Sequence, residues 1–146
     1  MTTISPHSAS FAAAVRQAAL TILALGLRLI PIAPGAKIPL VPWQEFQKRE
    51  PTVEEVEGWF SRCPAANIAL LTGRASGLAV IDFDPGHGDW PGNGGELPTD
   101  CVINTPRGGQ HYYVRWFPGL KNSVSKLDKG VDVRGEGGYV LVPPSV

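Results

Sequence analysis

Seven residues, Leu78 to Asp84, LAVIDFD, constrain this chain most: an apolar run that ends in two carboxylates separated by one residue. A β-strand sends alternate side chains to opposite faces. Ala79, Ile81 and Phe83 are therefore expected in a core, while Val80, Asp82 and Asp84 share the other face. At a rise of about 3.3 Å per residue the Cα atoms of the two acids stand roughly 6 to 7 Å apart, a spacing at which inward-leaning carboxylates hold one divalent ion or flank a pair. A strand that stops at an Asp-x-Asp-Pro-Gly turn accounts for the same residues, because Asp and Pro-Gly both favour turns. The rest of the chain has to decide between these readings.

At 146 residues the chain is expected to form a single domain over 1–146 with a real core. Its 17 glycines and 14 prolines imply many turns between short elements. Thirteen basic and thirteen acidic residues cancel, so no global positive field marks a nucleic-acid binder. Locally the balance shifts. Arg107, Arg115, Lys121, Lys126, Lys129 and Arg134 face only Asp128 and Asp132, which makes a stretch where a phosphate-bearing partner can dock; a solvated basic face is the plainer account. Cys63 and Cys101 form no CxxC, which points away from a disulfide framework or zinc site and toward a reducing cytoplasm. Phe11 to Pro31 is apolar, but Arg16 and Arg28 interrupt it and residues 1–10 carry no Lys or Arg, so neither a signal peptide nor a membrane segment is expected.

Residues 1–8 read as a loose terminus. From Ala9 to Leu25, Phe11, Val15, Ala18, Ala19 and Ile22 recur at helical spacing, with Gly26 as the stop. Leu27 to Ile32 reads as a strand, and the Pro-Gly loop after it carries Lys37, a candidate for phosphate that is otherwise simply solvated. Trp43 is expected to anchor this loop in the core. Thr52 and Glu55 form a capping box that opens a helix over Val53 to Ser61, with Val56, Trp59 and Phe60 inward. Asn67 to Leu71 reads as a buried strand and is expected to pair with Leu78 to Asp84 as a hairpin or sheet neighbour. Pro85 to Pro98, with five glycines, reads as a mobile loop beside the carboxylates.

Cys101 to Thr105 reads as a short strand, and Thr105-Pro106-Arg107-Gly108-Gly109 as a turn. His111 to Phe117 alternates, with His111, Tyr113 and Arg115 on one face, and Val131 to Arg134 alternates with Asp132 and Arg134 outward. A final strand covers Tyr139 to Val142. Three strands thus carry Asp82 with Asp84, then His111, then Asp132 with Arg134. Buried acids need a partner or a metal, and this oxygen-rich set suits Mg²⁺ or Mn²⁺ with a phosphorylated substrate. A structural salt-bridge network remains the alternative for Asp132 and Arg134. Zinc fits less well, since neither His87 nor His111 has ligand spacing with a cysteine or second histidine. The chemistry fits phosphoryl transfer to a 3′-hydroxyl. His111, Arg134 and the backbone N–H groups of Gly108 and Gly109, with Arg107 in the same turn, are the candidates for holding triphosphate oxygens.

VIDFD, TPRGGQHYYV and GVDVRGEGGYVLVPPS resemble, in order and spacing, the three motifs of the bifunctional primase/polymerase (Prim-Pol) domain of the archaeo-eukaryotic primase superfamily. GLRLIPIAPGAKIPLVPW, the helix after Thr52 with Trp59, and NIALLTG followed by SGLAVID agree, so the resemblance runs from about Ala18 to Val146. It implies that Asp82, Asp84 and Asp132 are the catalytic, metal-binding carboxylates and that His111 contacts the phosphates of the incoming nucleotide. It implies also an α+β fold, a mixed β-sheet with flanking helices related to the RNA-recognition-motif-like primase core. Family members make primers or extend DNA, usually as the front domain of plasmid or phage replication proteins that also carry a helicase. The expected partners are single-stranded DNA template, ribo- or deoxyribonucleoside triphosphates, and a helicase domain or partner protein. The chain stops at Pro143-Pro144-Ser145-Val146, where the family domain usually continues, so the C-terminal continuation is expected to be missing. The rival readings are a metal-dependent phosphodiesterase or nuclease, which attacks with water, and a nucleotide- or nucleic-acid-binding module that is inactive without partner domains.

Overall fold

The structure is a computed structural model and describes residues 6–84, 86, 97 and 99–146. The chain divides into two compact units, one of Met1–Leu71 with Val140–Val146 and one of Thr72–Tyr139. In the first, α1 (Pro6–Ala24) is followed by β1 (Leu29–Ile32), a 3₁₀ turn (Gln44–Gln47), α2 (Val53–Arg62) and β2 (Asn67–Leu71). The second carries β3 (Leu78–Phe83), β4 (Val102–Asn104), β5 (Gln110–Arg115), β6 (Ser123–Asp128) and β7 (Val131–Arg134); β8 (Tyr139–Leu141) then leads back into the first. The fold is α+β. Its strands form two antiparallel sheets where a single mixed sheet is expected from the sequence, in the orders β1-β2-β8 and β4-β5-β3-β7-β6.

In the first unit Pro6 opens α1, a position where its missing N–H costs nothing. The helix therefore claims residues 6–8, which the sequence reading leaves to a loose terminus. It ends at Gly26, whose φ of 75° permits the left-handed closing turn, with Gly26 N–H donating to Leu23 O at 2.9 Å and Leu27 N–H to Ile22 O at 3.2 Å. Val15 and Ala19 are fully buried, one turn apart. Helix α2 starts on the expected capping box: Glu55 N–H donates to Thr52 Oγ1 at 3.1 Å and Thr52 N–H to the Glu55 carboxylate at 2.8 Å. Val56, Trp59 and Phe60 face inward as their spacing predicts.

Two expectations are corrected in this unit. Trp43 is only half-buried; the loop is anchored by Phe46, whose ring meets Trp59 edge-on at 5.2 Å. Phe46 is the buried residue of the 3₁₀ turn, and Trp43 stands at its N-cap. Strand β2 is buried throughout, yet its partners are β1 and β8 and not β3; the bridge Gly73↔Leu78 lies beyond the end of β2. A run apolar on both faces reports burial and leaves the choice of neighbour open.

In the second unit every strand pairing is antiparallel, with β3 at the centre between β5 and β7. Ala79, Val80, Val131 and Val133 are buried, and Phe83 only partly, so β3 is covered on both faces at its start. Val80 keeps the face expected for it, shared with Asp82, but is fully buried there beside Tyr113 and Arg134. β6 has no counterpart in the sequence reading. Its register slips between Ser123 and Asp128, which oppose Val133 and Val131. A Cβ on Gly135 would run into the Leu120 carbonyl, so the turn after β7 requires glycine there. Apart from Gly86 and Leu97, the expected loop from Pro85 to Pro98, with His87, lies outside the described residues. No helix among the described residues is long and apolar enough to cross a membrane.

Candidate active site

Register builds the site. Asp82 on β3 stands directly opposite His111 on β5 and directly opposite Asp132 on β7. Directly opposed residues of antiparallel strands point to the same face, so the imidazole and the two carboxylates form one row across the three inner strands. One step along, Val80 is flanked by Tyr113 and Arg134. The alternation read from HYYVR and VDVR therefore places its polar members on one face, because a strand with period two cannot do otherwise once its apolar members are buried.

Within the row His111 Nε2 lies 3.3 Å from Asp82 Oδ1. Arg134 Nη2 donates to Asp132 Oδ2 at 3.1 Å and lies 4.0 Å from Asp82 Oδ2. The side chains of Asp82 and Asp132 are 17% and 15% exposed, so their charges are only partly solvated and depend on these partners. Asp84 follows β3, is exposed, and continues the ladder through its N–H to Gly130 O at 2.9 Å. Among the described residues no three His, Cys, Asp or Glu side chains stand grouped closely enough to hold one metal ion.

The remaining candidates are placed differently. Arg107 is exposed at the tip of the β4–β5 turn. In that turn Gly108, at φ 85°, donates its N–H to Thr105 O at 3.0 Å, and Gly109 donates its own to Thr105 Oγ1 at 2.9 Å. Both N–H groups proposed for phosphate are thus used by the turn itself. Lys37 is exposed on the loop after β1, in the other unit.

Two features of the site escape sequence reading. Ser125 N–H donates to Asp132 Oδ1 at 3.0 Å from the irregular strand β6, where Ser125 adopts a φ of 49°. Nothing in SVSKLD announces a bulge; the Asp128-Lys129-Gly130 turn is the one available signal for a hairpin there. The Tyr113 hydroxyl is buried without a hydrogen-bond partner among the described residues. Burial above all, with the nearby Cys101 and Asp82, pushes it up to about 12.

Fold and geometry define an α+β protein whose five-stranded antiparallel sheet gathers carboxylates, an imidazole and a guanidinium on its inner strands. The family model for the bifunctional DNA primase/polymerase N-terminal domain, Prim-Pol, matches residues 19–146, and the chain belongs to this family. At the level of the family its function is nucleotidyl transfer of the primase/polymerase type, with DNA and nucleotides as substrates. A search among curated proteins finds no match to the chain.

Proposed function

We propose that the chain carries out metal-dependent, template-directed nucleotidyl transfer, making primers or extending a DNA 3′ end in the replication of a plasmid, phage or other mobile element. The observation that carries this reading is the register of β3 with its two neighbours, which sets Asp82 against both His111 and Asp132. A cationic group already occupies the point where the two carboxylates converge: the Arg134 guanidinium, 3.1 Å from one and 4.0 Å from the other. Oxygen donors around a cationic point fit Mg²⁺ or Mn²⁺.

On this reading Asp82 and Asp132 would hold the metal together with substrate oxygens, and Asp84, exposed just past β3, is the third carboxylate proposed for it. When bound, the ion lowers the pKa of the attacking 3′-hydroxyl and offsets charge on the pyrophosphate leaving group. Asp82 and Asp132 also orient the 3′ end, because both are fixed on the rigid centre of the sheet. His111 orients Asp82 and turns its donor toward the phosphates, and Arg134 offers a planar fork that matches phosphate oxygens. Arg107 and Lys37 are outlying candidates for the polyphosphate tail. A helicase domain or partner protein, acting in the cytoplasm, supplies strand separation.

The test is incorporation of labelled nucleotide on primed and unprimed single-stranded DNA with Mg²⁺ or Mn²⁺. Incorporation that stops with a chelator and with Asp82→Asn supports the reading. Metal-dependent loss of DNA without nucleotide consumption assigns the site to a phosphodiesterase. Nucleotide or DNA binding without turnover assigns it to a binding module.

A further inference from the structure

Each of the four carboxylate oxygens of Asp82 and Asp132 already faces a donor of the protein. Asp82 Oδ1 faces His111 Nε2 at 3.3 Å, Asp132 Oδ1 accepts from Ser125 N–H at 3.0 Å, and the two Oδ2 atoms share Arg134 at 4.0 and 3.1 Å. Like charges directly opposite each other on neighbouring strands repel, so the guanidinium between them stabilises the pair. A divalent cation arriving alone meets this resident positive charge. If Arg134 leaves, its side chain, 32% exposed, loses its anion, and parting a partly buried charge from its partner is costly.

A polyphosphate changes that balance, because it gives the displaced guanidinium a bidentate acceptor. Resting on the reading of the site as a metal and nucleotide site, we propose that Arg134 is the resident counter-ion of the Asp82–Asp132 pair and is exchanged for metal when a polyphosphate receives it. The site therefore binds a divalent cation weakly by itself and tightly with a nucleoside triphosphate. Arg134 couples the two ligands. By linkage each ligand raises the affinity of the other by the same factor, expected at about 5- to 150-fold.

The experiment measures Mn²⁺ binding to the chain by electron paramagnetic resonance, without nucleotide and with an α,β-imido nucleoside triphosphate, after correction for Mn²⁺ held by free nucleotide. Four proteins are compared: wild type, Arg134→Gln, Arg134→Lys and Asp82→Asn. Arg134→Gln is expected to bind Mn²⁺ alone about tenfold more tightly than wild type, since the competing charge is gone, and to lose most of the coupling. Arg134→Lys keeps the charge and is expected to bind Mn²⁺ alone as wild type does. Unchanged or weaker Mn²⁺ binding by Arg134→Gln, with binding that still depends on Asp82, overturns the counter-ion role and leaves the metal and nucleotide reading intact. Mn²⁺ binding indifferent to Asp82→Asn, with and without nucleotide, overturns both. Should Arg134→Gln fail to fold by circular dichroism, wild type alone decides: a coupling factor near one overturns the proposal.

Discussion

Asp82 and Asp132 stand directly opposite each other on neighbouring antiparallel strands, two carboxylates where cross-strand pairing ordinarily avoids like charge. Asp82→Asn or Asp132→Asn keeps the shape and removes one of the repelling charges. Incorporation is expected to fall by about two orders of magnitude or more in either variant. Stability is expected to change by less than about 1 kcal/mol. Parallel incorporation assays and thermal melts check this; near-wild-type activity would remove these acids from the chemistry, and a collapse in stability would make them structural.

Tyr113 carries a buried hydroxyl with no partner among the described residues. An unsatisfied buried polar group costs about 1–3 kcal/mol. Tyr113→Phe deletes only that oxygen and is expected to raise stability, by about 1 kcal/mol once partial relaxation is allowed for. Urea denaturation gives the value. A loss of stability would reveal a partner for the hydroxyl.

At the start of α2, Arg49 pairs with both Glu45 and Glu55 at 2.7 Å and lies over the Phe46 ring at 4.6 Å. The bond from Arg49, then the backbone bond from Thr52, lowers the Glu55 carboxyl to about 2. Since the folded value is below the ordinary carboxylate value of 4.5, its contribution is complete above that pH and is lost as pH falls through about 2. Glu55→Gln is therefore expected to be less stable than wild type at pH 6 and to approach it only as pH falls below about 2. The effect is modest and weakens with salt, because the pair is partly solvated. Thr52→Ala, which removes the cap itself, is expected to cost about 1 kcal/mol.

Local patterns in the sequence carried the elements whose residues alternate or cap. VDVR fixes a face because burying its two valines at period two leaves Asp132 and Arg134 on the other side, VIDFD fixes one because Asp82 must point away from Ile81 and Phe83, and Thr52 with Glu55 marks a helix start by complementary donors and acceptors. What the letters do not carry is long-range choice. NIALL is buried on both faces, and its partners β1 and β8 are selected by tertiary packing; its Asn67 is 2% exposed because its amide pairs with the backbone of Val146, donating at 2.6 Å and accepting at 3.1 Å. β6 escapes because its residues are exposed and its register is broken, so no period survives in SVSKLD. The partners of the site are hidden for the same reason: Ser125 reaches Asp132 through a backbone N–H, which any residue possesses.

DNA binding is the last expectation. Affinity for single strands comes mainly from cations that neutralise phosphates, at a salt slope of about 0.7 for each one. The chain as a whole is neutral, and its basic stretch has Arg107, Arg115, Lys121, Lys126 and Lys129 exposed, while Arg134 is held by Asp132. Five cations limit the slope of log K against log salt to a magnitude of about 3.5, and Asp128 among them lowers it further. Single-stranded DNA is thus expected to bind the chain weakly and with shallow salt dependence. Lys126→Glu with Lys129→Glu, both on or beside β6, is expected to reduce the slope by about 1.4, without altering Mn²⁺ binding at the acids. Fluorescence anisotropy across a salt series measures both quantities. A wild-type slope steeper than about 5 would place the DNA on cations outside Arg107 to Arg134. A slope unchanged by the double substitution would take the DNA off the β6 edge and leave Arg107 and Arg115, at the opposite side of the sheet, as its path.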